Sequence, residues 1–210
     1  MTATSELGCV HLIDDDSAIR DATSFLMKTV GIDCECYESA QDFLSRFTPD
    51  PAACFVIDIR MPGMSGLDLQ AELGRQHITN PIVFITGHGE VEMAVRAMRD
   101  GAFDFIQKPF RDQDLLDSIN AGLRQAQAAS ASCQRQEALA ERFENLSPRE
   151  RQVMALVAAG KANKVIAYEL GVSQRTVEIH RARVMQKMAA KNLAELVRTN
   201  ILLEEAGIVQ

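Results

Sequence analysis

No apolar run in this chain approaches the roughly 20 residues needed to cross a bilayer. The opening residues, Met1 to Gly8, are short and polar, so neither a membrane span nor a targeting segment is expected. The sequence also has no Cys-x-x-Cys pair. Its five cysteines, Cys9, Cys34, Cys36, Cys54 and Cys133, are odd in number and mostly sit in apolar runs. Cys34 and Cys36 share one strand face but have no further ligands at zinc-site spacing, so they read as small core hydrophobes in a reducing compartment. The expectation is a soluble, cytoplasmic protein with no membrane partner.

A surplus of positive charge is missing too, but the net charge of −7 hides a division. Residues 1–125 carry 10 basic and 20 acidic side chains, whereas residues 144–210 carry 10 basic and 7 acidic, a local excess of +3. A chain of 210 residues split in this way suggests two small modules with different partners.

What is present is organised around Cys54 to Asp68. The run Cys-Phe-Val-Ile reads as a strand covered on both faces, as in a parallel sheet, and it stops at Asp58 before a Pro-Gly and Ser-Gly turn. Similar short apolar strands are expected at Val10–Ile13, Pro81–Thr86 and Phe103–Ile106, and Asp33–Tyr37 alternates like a strand. The first runs into Asp14, Asp15 and Asp16, after which Ser17 is placed to cap a helix to about Val30, with Ile19, Ala22, Leu26 and Val30 on one face and Gly31 ending it. Ser39 opens a short helix through Phe47, a further helix runs from about Glu90 to Asp100, and Leu115, Leu116, Ile119 and Leu123 mark a closing helix from Asp112. Five strands alternating with helices make a doubly wound parallel α/β sheet with right-handed crossovers.

In such a sheet ligands collect outside the carboxyl ends of the strands. Asp14, Asp15, Asp58, Thr86 and Lys108 all fall at such ends and can converge on one crevice. Three carboxylates together are costly without a cation, and hard oxygen ligands suit Mg²⁺, which keeps several waters and bridges to a phosphoryl group. His88, alone in a glycine loop, reads as a surface residue rather than a catalytic one.

Asp14-Asp15 after the first strand, Asp58 before Met61-Pro62-Gly63, Thr86 and Lys108-Pro109 together resemble the receiver domain of a two-component response regulator, across about residues 8–125. The resemblance implies a flavodoxin-like fold and a sensor histidine kinase as partner. It implies that Asp58 accepts a phosphoryl group, that Asp15 ligates Mg²⁺ directly and Asp14 through water, and that the Arg60 carbonyl adds a ligand. Thr86 and Lys108 would bind the phosphoryl oxygens, Pro109 would follow a cis peptide, and Phe105, standing where many receivers carry Tyr, would turn inward as Thr86 moves. The alternative from another class is a Mg²⁺-dependent aspartyl-phosphate phosphatase, but those enzymes add a second Asp where this chain has Arg60. A phosphorylation-independent regulator is a further alternative, against which the full acidic set argues.

Residues 126–145 are rich in Ala and Gln and read as a largely helical or partly mobile linker, with Leu139 and Phe143 available for docking or for pairing between chains. Ser147-Pro148-Arg149-Glu150 is a helix start with a capping box. Short helices from Asn163 to Leu170 and from about Gln174 to Met188, joined at Gly171, read as helix-turn-helix, and a last amphipathic helix covers Asn192 to Leu203. Leu-Ser-Pro-Arg-Glu, Asn-Lys-x-Ile-Ala and Arg-Thr-Val-Glu-Ile-His make residues 146–210 resemble the all-α output domain of LuxR/FixJ-type regulators.

On the third of these helices Val177, Val184 and Met188 lie within about 20° of one direction, which makes that side core. Arg175, Glu178, Ile179, Ala182, Arg183 and Gln186 lie on or beside the opposite face, which a recognition helix presents to base edges. Lys164, Arg181, Arg183, Lys187 and Lys191 are candidate phosphate contacts. The whole then resembles a DNA-binding regulator of promoter DNA, dimeric when phosphorylated, with RNA polymerase as a further partner and at most self-phosphorylation and self-dephosphorylation as activity.

Overall fold

The computed structural model describes residues 8–87 and 91–209, and by internal contacts the chain divides into two compact units between Ala131 and Ser132. In the first unit, β1 (Cys9–Ile13), β2 (Asp33–Tyr37), β3 (Cys54–Asp58), β4 (Ile82–Thr86) and β5 (Asp104–Gln107) form one sheet in the order β2-β1-β3-β4-β5, every neighbouring pair parallel. Residues of β3 and β4 are buried throughout, which is why their sequences are continuous apolar runs rather than alternating ones. Helices α1 (Ser17–Thr29) and α5 (Asp112–Glu144) cover one face, where Met27, Leu115, Ile119 and Leu123 pack on Val10, Leu12, Val56, Val83 and Ile85. Helices α2 (Ala40–Arg46), α3 (Gly66–Arg75) and α4 (Val91–Arg99) bound the other, where Phe43, Leu69, Leu73 and Ala97 meet Ile13, Phe55, Ile57 and Phe84. Each large side chain buried in this way contributes roughly 1.5–3 kcal/mol.

Several local expectations shift. Asp16, not Ser17, is the N-cap of α1, its carboxylate accepting from the Ala18 amide at 2.8 Å. The core face of α1 is centred on Thr23 and Met27, while Ala22 and Val30 are exposed and Ile19 and Leu26 only half-buried. The helix α3, whose start no sequence signal singled out, has a full capping box between Ser65 and Asp68. Residues 126–144 continue α5 as helix, so that stretch is helical up to Glu144. His88 and the start expected at Glu90 lie outside the described residues.

In the second unit, α6 (Pro148–Ala158), α7 (Asn163–Leu170), α8 (Gln174–Lys187) and α9 (Leu193–Glu205) close around Val153, Val157, Ile166, Val177, Val184 and Leu196, with Leu139 and Phe143 packed against them. Ser147 and Glu150 form the expected capping box. Gly171 ends α7 in the left-handed region at φ 63°, a conformation that favours glycine and turns the chain sharply into α8. The buried stripe of α9 is Leu196, Thr199, Asn200 and Leu203, leaving Leu193, Ile201 and Leu202 exposed.

Candidate functional site

The parallel sheet delivers Asp14 just past β1, Asp58 and Thr86 as the last residues of β3 and β4, and Lys108 just past β5. Ligand oxygens of Asp14, Asp15 and Asp58 lie within 4.8 Å of one another. Asp14 is fully buried, Asp58 nearly so, and Asp15 exposed. The Lys108 ammonium donates to Asp14 Oδ2 at 2.9 Å and to Asp58 Oδ2 at 3.2 Å. The Lys108 amide also donates to the Thr86 carbonyl at 2.7 Å, and the Lys108–Pro109 peptide is cis, as the resemblance implied.

Burial pushes the Asp58 carboxyl above its usual range, with Asp14 adding to the shift and Lys108 opposing it. Burial alone would lower the Lys108 ammonium, but the carboxylates of Asp14 and Asp58 raise it. The Lys108 ammonium thus bonds two of the three clustered carboxylates. A cluster of hard oxygen donors with surplus negative charge and one open, solvent-facing member suits a divalent cation such as Mg²⁺.

The Arg60 amide reaches Asp58 Oδ1 at 3.4 Å, which holds the carboxylate against its own turn. Thr86 directs its hydroxyl to the Gly87 carbonyl at 3.0 Å, and Phe105 is 45% exposed, its ring outside the core. One residue escaped sequence reasoning. A Cβ on Gly66 would stand 2.3 Å from the Asp58 carbonyl oxygen, and the Gly66 amide donates to the Ile59 carbonyl at 2.9 Å, so α3 starts hard against the end of β3. In the sequence Gly66 looked like a turn residue only. Beside Lys108 a cavity of about 860 Å³ opens between α1 and the start of α5, lined by Ile19, Phe25, Leu26, Phe110 and Leu115.

On α8, Val177 and Val184 are buried and Met188 follows them into the core. Arg175, Glu178, Ile179, Ala182, Arg183 and Gln186 are exposed, as is Lys164 on α7 and Lys191 beyond α8. Arg181 is half-buried and donates to Asn163 Oδ1 at 3.0 Å, tying α8 to the start of α7. Lys187 departs from the expected role of a free phosphate contact. Its ammonium donates to Glu150 Oε2 at 2.7 Å and to the Asn145 carbonyl at 3.0 Å. Glu150, read from the sequence as a cap alone, is thus buried, with Lys187 and the Ser147 amide holding its carboxyl below the usual range.

The family described as the response regulator receiver domain matches residues 10–120, and the family of bacterial regulatory proteins of the luxR type matches residues 144–199. The chain is 46% identical over 203 residues to nodulation protein W of Bradyrhizobium diazoefficiens, covering 94% of this chain and 87% of that one. It is 45% identical over 190 residues to the transcriptional regulatory protein FixJ of Rhizobium meliloti, covering 90% and 93%. The chain belongs to the FixJ/LuxR-type response regulators. Among solved structures, the response regulator StyR matches with a TM-score of 0.86 at 41% identity, over 94% of this chain and 98% of that one.

As a response regulator the protein regulates transcription within a two-component system, through a phosphorylated receiver and a DNA-binding output domain. That assignment implies a kinase and DNA as partners. Receiver domains typically bind Mg²⁺ in an acidic pocket, and Asp14, Asp15 and Asp58 form an acidic cluster here. Among the described residues, no helix is long and apolar enough to cross a membrane.

Proposed function

We propose that Asp58 is the phosphoacceptor, and the observation that carries this reading is the Lys108 ammonium bridging Asp14 and Asp58 beside exposed Asp15. Asp14, Asp15, Asp58 and the Arg60 carbonyl would hold Mg²⁺, which when bound supplies positive charge to the equatorial phosphoryl oxygens. Asp58 Oδ attacks phosphorus in line while the donor's leaving group departs on the far side, giving an acyl phosphate. Lys108 follows the new charge as a point cation, and the Thr86 hydroxyl leaves Gly87 to donate to a phosphoryl oxygen. Phe105 then turns into the space that Thr86 vacates. Small acyl phosphates serve as donors too, so self-phosphorylation and self-dephosphorylation are the protein's only activities in this reading.

The output unit reads promoter DNA with Arg175, Glu178, Ile179, Ala182 and Gln186 toward base edges, while Lys164, Arg181, Arg183 and Lys191 serve phosphates or orient those that do. Phosphorylation makes the protein dimeric, so two recognition helices meet half-sites about one helical turn, roughly 34 Å, apart. The protein then acts in the cytoplasm and engages RNA polymerase at the promoter. Incubation with Mg²⁺ and a small acyl phosphate, followed by intact mass, tests the acceptor. One phosphoryl group is expected on the wild type and none on Asp58→Asn, and uptake by that variant at the wild-type rate would overturn the assignment. For the output face, Glu178→Ala should change the preferred base at one position, a discrimination of roughly 1–3 kcal/mol.

A further inference from the structure

Arg20 is outside the set of residues assigned to phosphoryl transfer, yet its side chain reaches back across the acidic turn. Asp14, Asp15 and Asp16 follow β1 directly, and α1 begins at Ser17, which puts Arg20 in the helix's first turns. From there the half-buried guanidinium donates through Nη1 to the backbone carbonyl of Asp14 at 2.7 Å. A hydrogen bond with an ionised donor is roughly twice as strong as a neutral one. The rest of Asp14 is held as well. Its amide donates to the Tyr37 carbonyl at 3.3 Å, its Oδ1 accepts from the Asp16 amide at 2.8 Å, and its Oδ2 accepts from Lys108 at 2.9 Å.

Asp15 is exposed, so the direction of its carboxylate depends on the backbone that carries it. The Asp14 carbonyl and the Asp15 amide belong to one planar peptide unit. Holding that carbonyl therefore fixes how the plane is turned, and leaves only φ and the side-chain torsions of Asp15 to aim its oxygens. Those oxygens lie within 4.8 Å of the ligand atoms of Asp14 and Asp58, a spacing that a turn of the Asp14–Asp15 peptide would break.

We propose that Arg20 is a positioning residue for the divalent-cation site, aiming Asp15 by holding the Asp14 carbonyl, a role that rests on the assignment of Mg²⁺ to the Asp14, Asp15 and Asp58 cluster. Charge alone predicts the reverse. A guanidinium near a divalent cation repels it, so if Arg20 contributed only its charge, removing it would tighten Mg²⁺ binding. If it contributes position, removing it loosens binding. Groups that orient metal ligands are typically worth about 10–100-fold in affinity. Because Asp14 keeps its other bonds and Asp15 its own carboxylate, the lower end of that range is expected.

The test titrates the full-length protein with Mg²⁺ by isothermal calorimetry, with no phosphoryl donor present. Arg20→Met keeps a long stem but loses donor and charge, and its Kd should rise about tenfold. Arg20→Lys keeps a charged N–H donor and should bind with a Kd nearer to that of the wild type than to that of Arg20→Met. With a small acyl phosphate added, the Mg²⁺ concentration for half the maximal phosphorylation rate should rise in Arg20→Met by the same factor, while the rate at saturating Mg²⁺ stays within about twofold of wild type. Melting in chelator scores the fold separately, and Arg20→Gln, which also removes the charge, supplies the same test of sign should Arg20→Met fail to fold. Binding by Arg20→Met or Arg20→Gln as tight as wild type or tighter would overturn the proposal, as would an Arg20→Lys protein no better than Arg20→Met. A wild type that binds no Mg²⁺ would instead remove the acidic cluster as the ion's site, and the role of Arg20 with it.

Discussion

Lys187 and Glu150, 37 residues apart, meet at 2.7 Å in the output unit, and the carboxylate is 3% exposed. The pair joins the end of α8 to the start of α6, so the same glutamate caps one helix and anchors another. Lys187→Ala leaves that buried carboxylate with only its capping bonds, at a cost of about 1–3 kcal/mol. DNA affinity should fall through loss of folded protein, while the dependence of log affinity on log salt stays as in wild type. Lys164→Ala, by contrast, should lower that slope by about one. A Lys187→Ala protein with wild-type thermal stability and a reduced salt slope would return Lys187 to the phosphate contacts. The pH dependence has a defined sign: the folded Glu150 pKa is depressed, so the pair's contribution is present above the ordinary carboxyl value and is lost as pH falls through the folded one.

Asp58 has the opposite sign. Its folded pKa is raised by burial and by Asp14, so its contribution is present below the ordinary carboxyl value and is lost as pH rises through the folded one. Ionised Asp58 therefore works against the fold at neutral pH. Without divalent cations, Asp58→Asn should melt at a higher temperature than wild type at pH 7, and the gap should narrow toward pH 4. Mg²⁺ should raise the melting temperature of the wild type more than that of the variant. Equal melting curves in chelator at pH 7 would contradict this account.

Gly66→Ala tests how tightly the acceptor strand is held. The added methyl would sit 2.3 Å from the Asp58 carbonyl, so β3 or α3 must shift. Overpacking of this kind costs roughly 1–3 kcal/mol, and a displaced Asp58 should also accept phosphate more slowly under conditions where the variant is fully folded. Gly74→Ala is the control, since a Cβ there meets nothing within 4 Å and should be neutral or stabilising. Normal phosphorylation by Gly66→Ala would mean that the strand end tolerates the shift.

The strands and the meeting of Asp14, Asp15, Asp58 and Lys108 were legible because each depends on local signals, a short apolar run and the polar residue that ends it, combined with the strand-end convergence that a parallel sheet imposes. The helix-turn-helix was legible for the same reason, its caps at Ser147 and Gly171 being local. What was not legible depends on tertiary approach. Helical periodicity put Ile19, Ala22, Leu26 and Val30 on one face of α1, but where the helix meets the sheet buries Thr23 and Met27, with Leu26 partly packed beside them, and leaves Ile19, Ala22 and Leu26 lining a cavity. Nothing within a few residues of Lys187 signals Glu150, and Gly66 looks like any turn glycine until the Asp58 carbonyl is beside it.

The exposed apolar residues Val95, Met98 and Phe105 lie on α4 and β5, with Arg99 on the same helix and Asp104, Asp114 and Asp117 along β5 and the start of α5. A two-fold pairing through this region would bury the apolar residues and set the basic side of each copy against the acidic side of the other. In the switch proposed above, phosphorylation would reach it through Thr86, now bonded to the Gly87 carbonyl, and through Phe105, now exposed, which would turn in behind it and flatten the face. Arg99→Glu sets like charges against the acidic side and leaves the phosphoryl site untouched. The expected outcome is a protein that takes up one phosphoryl group at the wild-type rate, by intact mass, yet keeps a monomer's mass by light scattering at concentrations where the phosphorylated wild type has doubled. A phosphorylated Arg99→Glu protein that dimerises as readily as wild type would move the interface elsewhere, and a wild type whose mass does not change on phosphorylation would remove dimerisation from the switch.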